Sequence, residues 1–209
     1  MRAIVGVRGL PARGSEPPAQ VHVIAADQVV EEADRPYHAH VLAQGVVPGS
    51  IGGNGFKVVL TPLHGVGHTS AGAVLRARGL TVHFVERQCD PDGGKFSTVA
   101  SANPELPSSM AMAAELAAAN GSALVLATDP DADRLGACVR AADGGYVALD
   151  GNRLGVLMLG HVLDSLQHHL PENGWVLTTL VTSPLIATMA RAHGLEAVDD
   201  LLVGFKHHA

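Results

Sequence analysis

Three aspartates stand at alternate positions, Asp129, Asp131 and Asp133, in the stretch ATDPDADRLG. In extended backbone, residues i, i+2 and i+4 point to one side, so this spacing predicts three carboxylates converging on one point. Anions so placed repel one another unless a cation or protons compensate them. A hard divalent ion with oxygen ligands suits such a set, and Mg2+ is the usual ion beside phosphates. Arg134 follows directly and offers a planar fork of donors matched to a phosphate. The same residues also fit an exposed acidic turn, because Asp and Pro are common turn formers.

Other polar residues are less specific. His64 lies in PLHGVG, between a strand pattern and a helix start, where free backbone N–H groups can bind anions. It is a candidate substrate-side group; the alternative is a structural turn whose glycines allow close packing. The chain has 12 histidines, with close pairs at His38/His40, His168/His169 and His207/His208. None stands with Cys or carboxylates at zinc-like spacing. Asp92–Lys95 (DGGK) lacks the spacing of a nucleotide phosphate loop. The Ala- and Met-rich run from Met110 to Ala119 fits core packing.

The acidic stretch needs a frame, and the surrounding pattern supplies one. KVVLT (Lys57–Thr61), TVHFVE (Thr81–Glu86) and ALVLA (Ala123–Ala127) are apolar strand runs. Helix patterns separate them, at Thr69–Arg78 before Gly79 and at Ser108–Asn120 before Gly121. Asn103 is a candidate helix cap. Alternating strands and helices with short connections predict a parallel sheet covered on both faces. The acidic residues would then sit at the carboxyl end of the third strand, where open α/β sheets bind ligands. GACVRA and YVALD flank a hairpin signal at Asp143-Gly144-Gly145. Asp150 is placed to cap a helix from about Asn152 to His169. WVLTTLV (Trp175–Val181) opens a second strand–helix unit, with Ser183 as helix cap, Pro184 at the first helical position and Gly194 as the stop.

The expected fold class is therefore α/β: a three-layer, mixed and mainly parallel sheet with helices on both faces, followed by an incomplete second α/β unit. Three regions are expected, with boundaries at 1–55, 56–150 and 151–209. The first is weakly patterned, interrupted by Gly and Pro, and expected to be loosely packed, with a short helix in Val21–Asp34. The second carries the acidic loop.

Composition excludes several classes. Apolar residues make up 47% of the 209 residues, enough for a core, but aromatics only 3%, so Ala, Val and Leu must fill it. A net charge of −6 argues against a nucleic-acid partner. No apolar run approaches the roughly 18 residues of a membrane span, so no membrane partner is expected. The start has no continuous apolar segment of the signal-peptide kind. Cys89 and Cys138 lack CxxC spacing and fit reduced thiols, which makes a cytoplasmic protein the default.

At the acidic loop a family resemblance emerges. DPDADR resembles the DPDGDR magnesium loop of the α-D-phosphohexomutases, the phosphoglucomutase and phosphomannomutase superfamily, with Ala132 in place of Gly. TPLHGVG (Thr61–Gly67) is similar to the TPxHGVG that opens the second domain of the phosphoglucomutase-2-like branch. DPDGGKFSTVASANPE (Asp90–Glu105) resembles the loop ending in NPE, TTLVTSPLIATMARAHG resembles a third-domain strand and helix, and VGFK (Val203–Lys206) resembles the TGxK segment. The likeness runs from Lys57 to Lys206. It implies part of a four-domain enzyme in which a first-domain phosphoserine donates its phosphoryl group to a phosphosugar. Mg2+ held by Asp129, Asp131 and Asp133 would bind that phosphoserine. Arg134 and Lys206 would be catalytic, the lysine in proton transfer or charge stabilisation; the alternative for Lys206 is a tail lysine. The nucleophile motif T-A-S-H-N-P is absent from these residues, as are the later sugar- and phosphate-binding loops. The expectation is a fragment covering domain 2 and part of domain 3, inactive alone. Two alternatives stand beside it. One is a non-catalytic Mg2+-binding remnant. The other is a phosphatase of the DxDx[TV] haloacid-dehalogenase type, although no Thr or Val stands where that motif requires it.

Overall fold

The computed structural model describes residues 26–47 and 55–204. The chain divides into two units, Met1–His40 and Val41–Ala209. In the first, α1 (Ala26–Val29) passes through a π turn (Val30–Asp34) into α2 (Arg35–Ala43). Glu31 and Arg35 pair across one helical turn at 2.8 Å, and both are exposed. No residue of α2 is buried. The helix expected over Val21–Asp34 is thus helical from Ala26 onward. The rest of the weakly patterned segment, residues 1–25 and 48–54, lies outside the described residues.

The second unit is built on β1 (Lys57–Thr61). This strand has apolar residues on both faces, Val58, Val59 and Leu60, and all three are buried. A strand of that kind belongs in the middle of a sheet. β1 pairs in parallel with β2 (Thr81–Phe84) on one side and β3 (Leu124–Thr128) on the other. β4 (Leu135–Arg140) and β5 (Tyr146–Leu149) then add antiparallel, giving the order β2-β1-β3-β4-β5. The Asp143–Gly145 turn joins the last two strands, with Gly144 in the left-handed region at φ 89° and Asp143 Oδ1 accepting from Gly145 N.

Helices cover both faces. α3 (Gly67–Ala77) connects β1 to β2. It lies over Phe84, whose ring takes Arg76 at 4.7 Å above its centre and the His68 ring edge-on. Register puts Phe84 beside Leu60, and Val59 beside Val125 on the opposite face. The short α4 (Glu86–Cys89) and then α5 (Ala111–Asn120) connect β2 to β3. α5 presents Ala113 and Ala117 to Val59, Val125 and Cys138, and Met110, Leu63, Val85 and Ala127 complete this cluster. Small alanines let the helix approach the sheet closely, which is how a core with few aromatics reaches full packing.

α5 begins at Ala111, later than the pattern suggests, and Met110 at its N-cap makes no side-chain cap bond. Asn103 accordingly does not cap it; Asn103 Oδ1 accepts from Glu105 N and closes the Asn-Pro-Glu turn instead. Asp150 does cap α6 (Gly151–Leu166), accepting from Arg153 N. β6 (Trp175–Thr179), α7 (Leu185–Ala192) and β7 (Glu196–Leu201) follow, and β6 and β7 form a separate parallel pair. Ser183 and Pro184 precede α7, with Ser183 Oγ accepting from Leu185 N. Leu163, Ala190 and Leu195 form the core here, with Val176 packed against it. The other face of β6 stays open: Trp175 is 62% exposed.

Met110 is 1% exposed and joins α5 to the sheet. Met110→Ala is expected to lower the free energy of unfolding by about 2–5 kcal/mol, read as a shift of the urea midpoint at constant slope. An unchanged midpoint would remove this residue from the core.

Candidate metal centre

β3 delivers Asp129 as the first residue beyond its last pair. The chain must reverse between Thr128 and Leu135 to start β4. It does so with a turn: Ala132 N donates to the Asp129 carbonyl at 3.0 Å. Ala132 adopts the left-handed region at φ 60°. The three carboxylates therefore meet through a turn, not through the extended alternation that their spacing suggests. Each offers an oxygen such that all three lie within 4.8 Å of one another. Asp129 is buried, whereas Asp131 and Asp133 are exposed.

Asp129 is held from both sides by one residue. Arg134 N donates to Oδ1 at 3.0 Å and Arg134 Nε to Oδ2 at 2.6 Å. Burial alone would push the Asp129 carboxyl up; the Arg134 backbone N–H and guanidinium outweigh it and hold it below the ordinary carboxylate range. Asp133 moves the other way. Its hydrogen bond with Asp129, and then the charges of Asp131 and Asp129, raise it. On acidification Asp133 thus takes up a proton ahead of Asp129.

The loop rests on the turn after β1. Val66 N donates to the Pro130 carbonyl at 3.0 Å. A Cβ on Gly65 would stand 2.2 Å from Pro130 Cα, so only glycine permits this approach. From the other side, a Cβ on Gly136 would stand 2.1 Å from the Pro104 carbonyl oxygen. The glycines of PLHGVG and the Asn-Pro-Glu turn thus both bear on the acidic segment.

Beneath that turn runs a polar chain, buried at Thr61, His64 and Gln88 and half-buried at Thr98. Thr61 Oγ1 donates to Gln88 Oε1 at 2.5 Å and accepts from Leu63 N. Gln88 Nε2 donates to Thr98 Oγ1 at 3.0 Å. His64 meets Thr98 Oγ1 through Nε2 at 2.7 Å and the Asp90 carbonyl through Nδ1 at 2.6 Å. A carbonyl only accepts, so Nδ1 carries the proton and Nε2 accepts from the Thr98 hydroxyl. His64 N also donates to the Gln88 carbonyl at 2.7 Å. His64 is 2% exposed, so the structure gives this ring to the protein itself. It forms part of the wall of a cavity of about 420 Å³ with Glu86, Arg87, Asp90, Asp92, Ser97 and Thr98. Gln88 and Thr98 were not among the sequence candidates. A lone Gln beside Glu86 and Arg87 carries no spacing signal, and only its complete burial gives it away. Lys206 lies outside the described residues.

A model of the phosphoglucomutase/phosphomannomutase alpha/beta/alpha domain II matches residues 35–144. The chain belongs to this family. A phosphoglucomutase of Staphylococcus saprophyticus is 34% identical over 159 residues, which are 76% of this chain and 28% of that enzyme. The chain thus spans under a third of the length of that relative. A phosphoglucomutase/phosphomannomutase family protein from Burkholderia thailandensis has the same fold, with a TM-score of 0.63 at 18% identity, covering 87% of this chain and 34% of that one. An N-acetylglucosamine-phosphate mutase of the alpha-D-phosphohexomutase superfamily, solved in a substrate complex, gives a TM-score of 0.51 at 16% identity and covers 87% and 34% of the two chains. These matches make the fold class that of a phosphohexomutase: a mixed sheet between helical layers. Among the described residues, no helix is long and apolar enough to cross a membrane.

Two outcomes follow from this geometry. Ala132→Gly removes the left-handed strain of an alanine and is expected to raise the free energy of unfolding by about 1 kcal/mol. A lower melting temperature would contradict the turn. For Arg134→Gln the sign depends on pH. Asp129 has its folded value below its unfolded value of about 3.9. The stability it contributes is present above that pH and is lost as pH falls through the folded value. Arg134→Gln should lower stability near neutrality, because the buried Asp129 carboxylate loses its charged partner. The difference from wild type should shrink in denaturation at strongly acidic pH; a difference that grows there would reverse the assignment.

Proposed function

We propose that this chain supplies the magnesium-binding part of a phosphosugar mutase, moving a phosphoryl group between two positions of a hexose or pentose phosphate through a bisphosphate. Family membership supports a phosphohexomutase-like function. The observation that carries the reading is the carboxylate cluster of Asp129, Asp131 and Asp133 beside Arg134, in a chain that matches domain II. An all-carboxylate set of hard oxygen donors suits Mg2+ and disfavours softer metals. Each Asp129 oxygen accepts one hydrogen bond from Arg134 and keeps a further lone pair. When bound, the ion would neutralise charge on phosphate oxygens.

The chain's own residues have distinct parts in this reading. Asp129, Asp131 and Asp133 hold the ion. Arg134 keeps Asp129 ionised through Nε, and its other guanidinium nitrogens serve a phosphate. As the phosphoryl group moves, the P–O bond to the donor oxygen breaks, a P–O bond to a sugar hydroxyl forms, and the hydroxyl proton passes to a base. Lys206 is the proposed group for that proton or for the charge that develops. His64 acts through its neighbours, since both ring nitrogens are engaged by Asp90 and Thr98.

The T-A-S-H-N-P nucleophile is absent from these 209 residues, which favours a second reading for the chain on its own: metal binding without turnover. Assays separate the readings. Conversion of glucose 1-phosphate in the presence of a bisphosphate primer supports the mutase as it stands. Hydrolysis of a simple phosphate ester without primer points to a phosphatase instead. Thermal melts test the site directly. Mg2+ in the millimolar range should raise the melting temperature, where about 1 kcal/mol of binding corresponds to roughly 2–4 °C. Asp131→Asn should keep less than about half of that shift, since it removes one charged ligand of the three. A full shift in this variant would sink the metal assignment.

A further inference from the structure

We infer that Gln88 and Thr98 are positioning residues for the acidic loop, acting through a one-way hydrogen-bond chain that locks His64 and the turn supporting Pro130. The inference deepens the metal-binding reading of the preceding section and rests on it for one of its two readouts.

The chain has a fixed direction. An amide nitrogen only donates, so Gln88 Nε2 must give its hydrogen to Thr98 Oγ1. The Thr98 hydroxyl then points its own hydrogen at His64 Nε2, and His64 Nδ1–H points at the Asp90 carbonyl. At the other end, Gln88 Oε1 takes the Thr61 hydroxyl, and Thr61 takes Leu63 N. Every polar atom of the buried Gln88 side chain is thereby used, with one donor and one acceptor at each joint. These bonds tie the carboxyl end of β1, α4 and the Asp90–Thr98 loop to one turn, Leu63–Gly65.

That turn is not at ease by itself. Leu63 and His64 both have positive φ, 47° and 69°. For residues with a Cβ this conformation costs free energy and persists only where the surroundings impose it. The polar chain imposes it through Leu63 N and through both the ring and the backbone N–H of His64. The strained turn in turn sets Gly65 against Pro130 and aims Val66 N at the Pro130 carbonyl. Pro130 lies between Asp129 and Asp131. A loosened turn therefore reaches the carboxylates directly.

The test uses the full chain. Thr98→Val keeps the side-chain shape and removes the hydroxyl; Thr98→Ser keeps the hydroxyl; Gln88→Met removes the amide. Two readouts are taken well below the melting temperature: the dissociation constant for Mn2+ as a probe ion, and amide hydrogen exchange at Ala132 and Arg134. Thr98→Val and Gln88→Met are expected to weaken Mn2+ about tenfold, the lower end for outer-shell partners of a metal site, and to speed exchange at both amides. Thr98→Ser should stay within about twofold of wild type on both measures. Ring 15N shifts should show His64 Nε2 losing its hydrogen-bond partner in Thr98→Val and keeping it in Thr98→Ser, with Nδ1–H retained on the Asp90 carbonyl in both. Folded Thr98→Val and Gln88→Met proteins with wild-type Mn2+ affinity and wild-type exchange would overturn the inference, even if they melt earlier. Should the wild-type chain bind no Mn2+, the metal reading fails, and exchange at Ala132 and Arg134 still decides whether the chain positions the loop.

Discussion

A carboxylate removed from water at the end of a central strand has to be compensated, and much of the site follows from how Asp129 meets that demand. Its partner is Arg134, which reaches it with backbone and side chain together. For that to happen the chain must double back within the few residues that separate β3 from β4. The doubling back places Ala132 in the left-handed region and swings Asp131 and Asp133 towards Asp129. One ion pair thus sets the shape of the turn, the spread of charge among three acids, and the start of β4. It also explains why Asp129 and Asp133 shift in opposite directions although they are identical in type: one is buried against a cation, and the other faces two anions.

The frame of the fold was legible because its signals are local. KVVLT, TVHFVE and ALVLA are short apolar runs bounded by turn signals, and they form the inner strands β1 and β3 and the edge strand β2, while Asp143-Gly144-Gly145 marks a hairpin with little ambiguity. Element starts were harder. The helix pattern at Ser108–Asn120 begins in residues that form turns, because three residues of suitable type do not overcome the Pro107 turn before them. Asn103 carries the residue type of a helix cap, yet it caps the turn it belongs to, since the helix begins further on.

The acidic loop shows the limit more sharply. Spacing alone brought the three aspartates together, but for a geometric reason that the turn replaces. His64 stood out in the sequence by type and place. What it does depends on Gln88 and Thr98, which are distant in the chain and unremarkable in pattern. A polar residue becomes informative when it is buried, and burial is a property of the assembled sheet. Gly65 and Gly136 are similar cases. Their lack of a side chain matters because another segment's backbone passes within contact distance, which no single stretch of sequence can reveal.

The open face of β6 has a practical bearing on how this molecule can be observed. Trp175 is the chain's one tryptophan, and it sits on that face, largely in water. Its indole is bound to the β6–β7 pair and lies on a different sheet from Asp129. Its emission therefore reports the solvent around one strand of the small sheet, with a red-shifted band open to aqueous quenchers. An optical titration that relies on this fluorophore sees the small sheet come apart and is largely blind to events at the carboxylates.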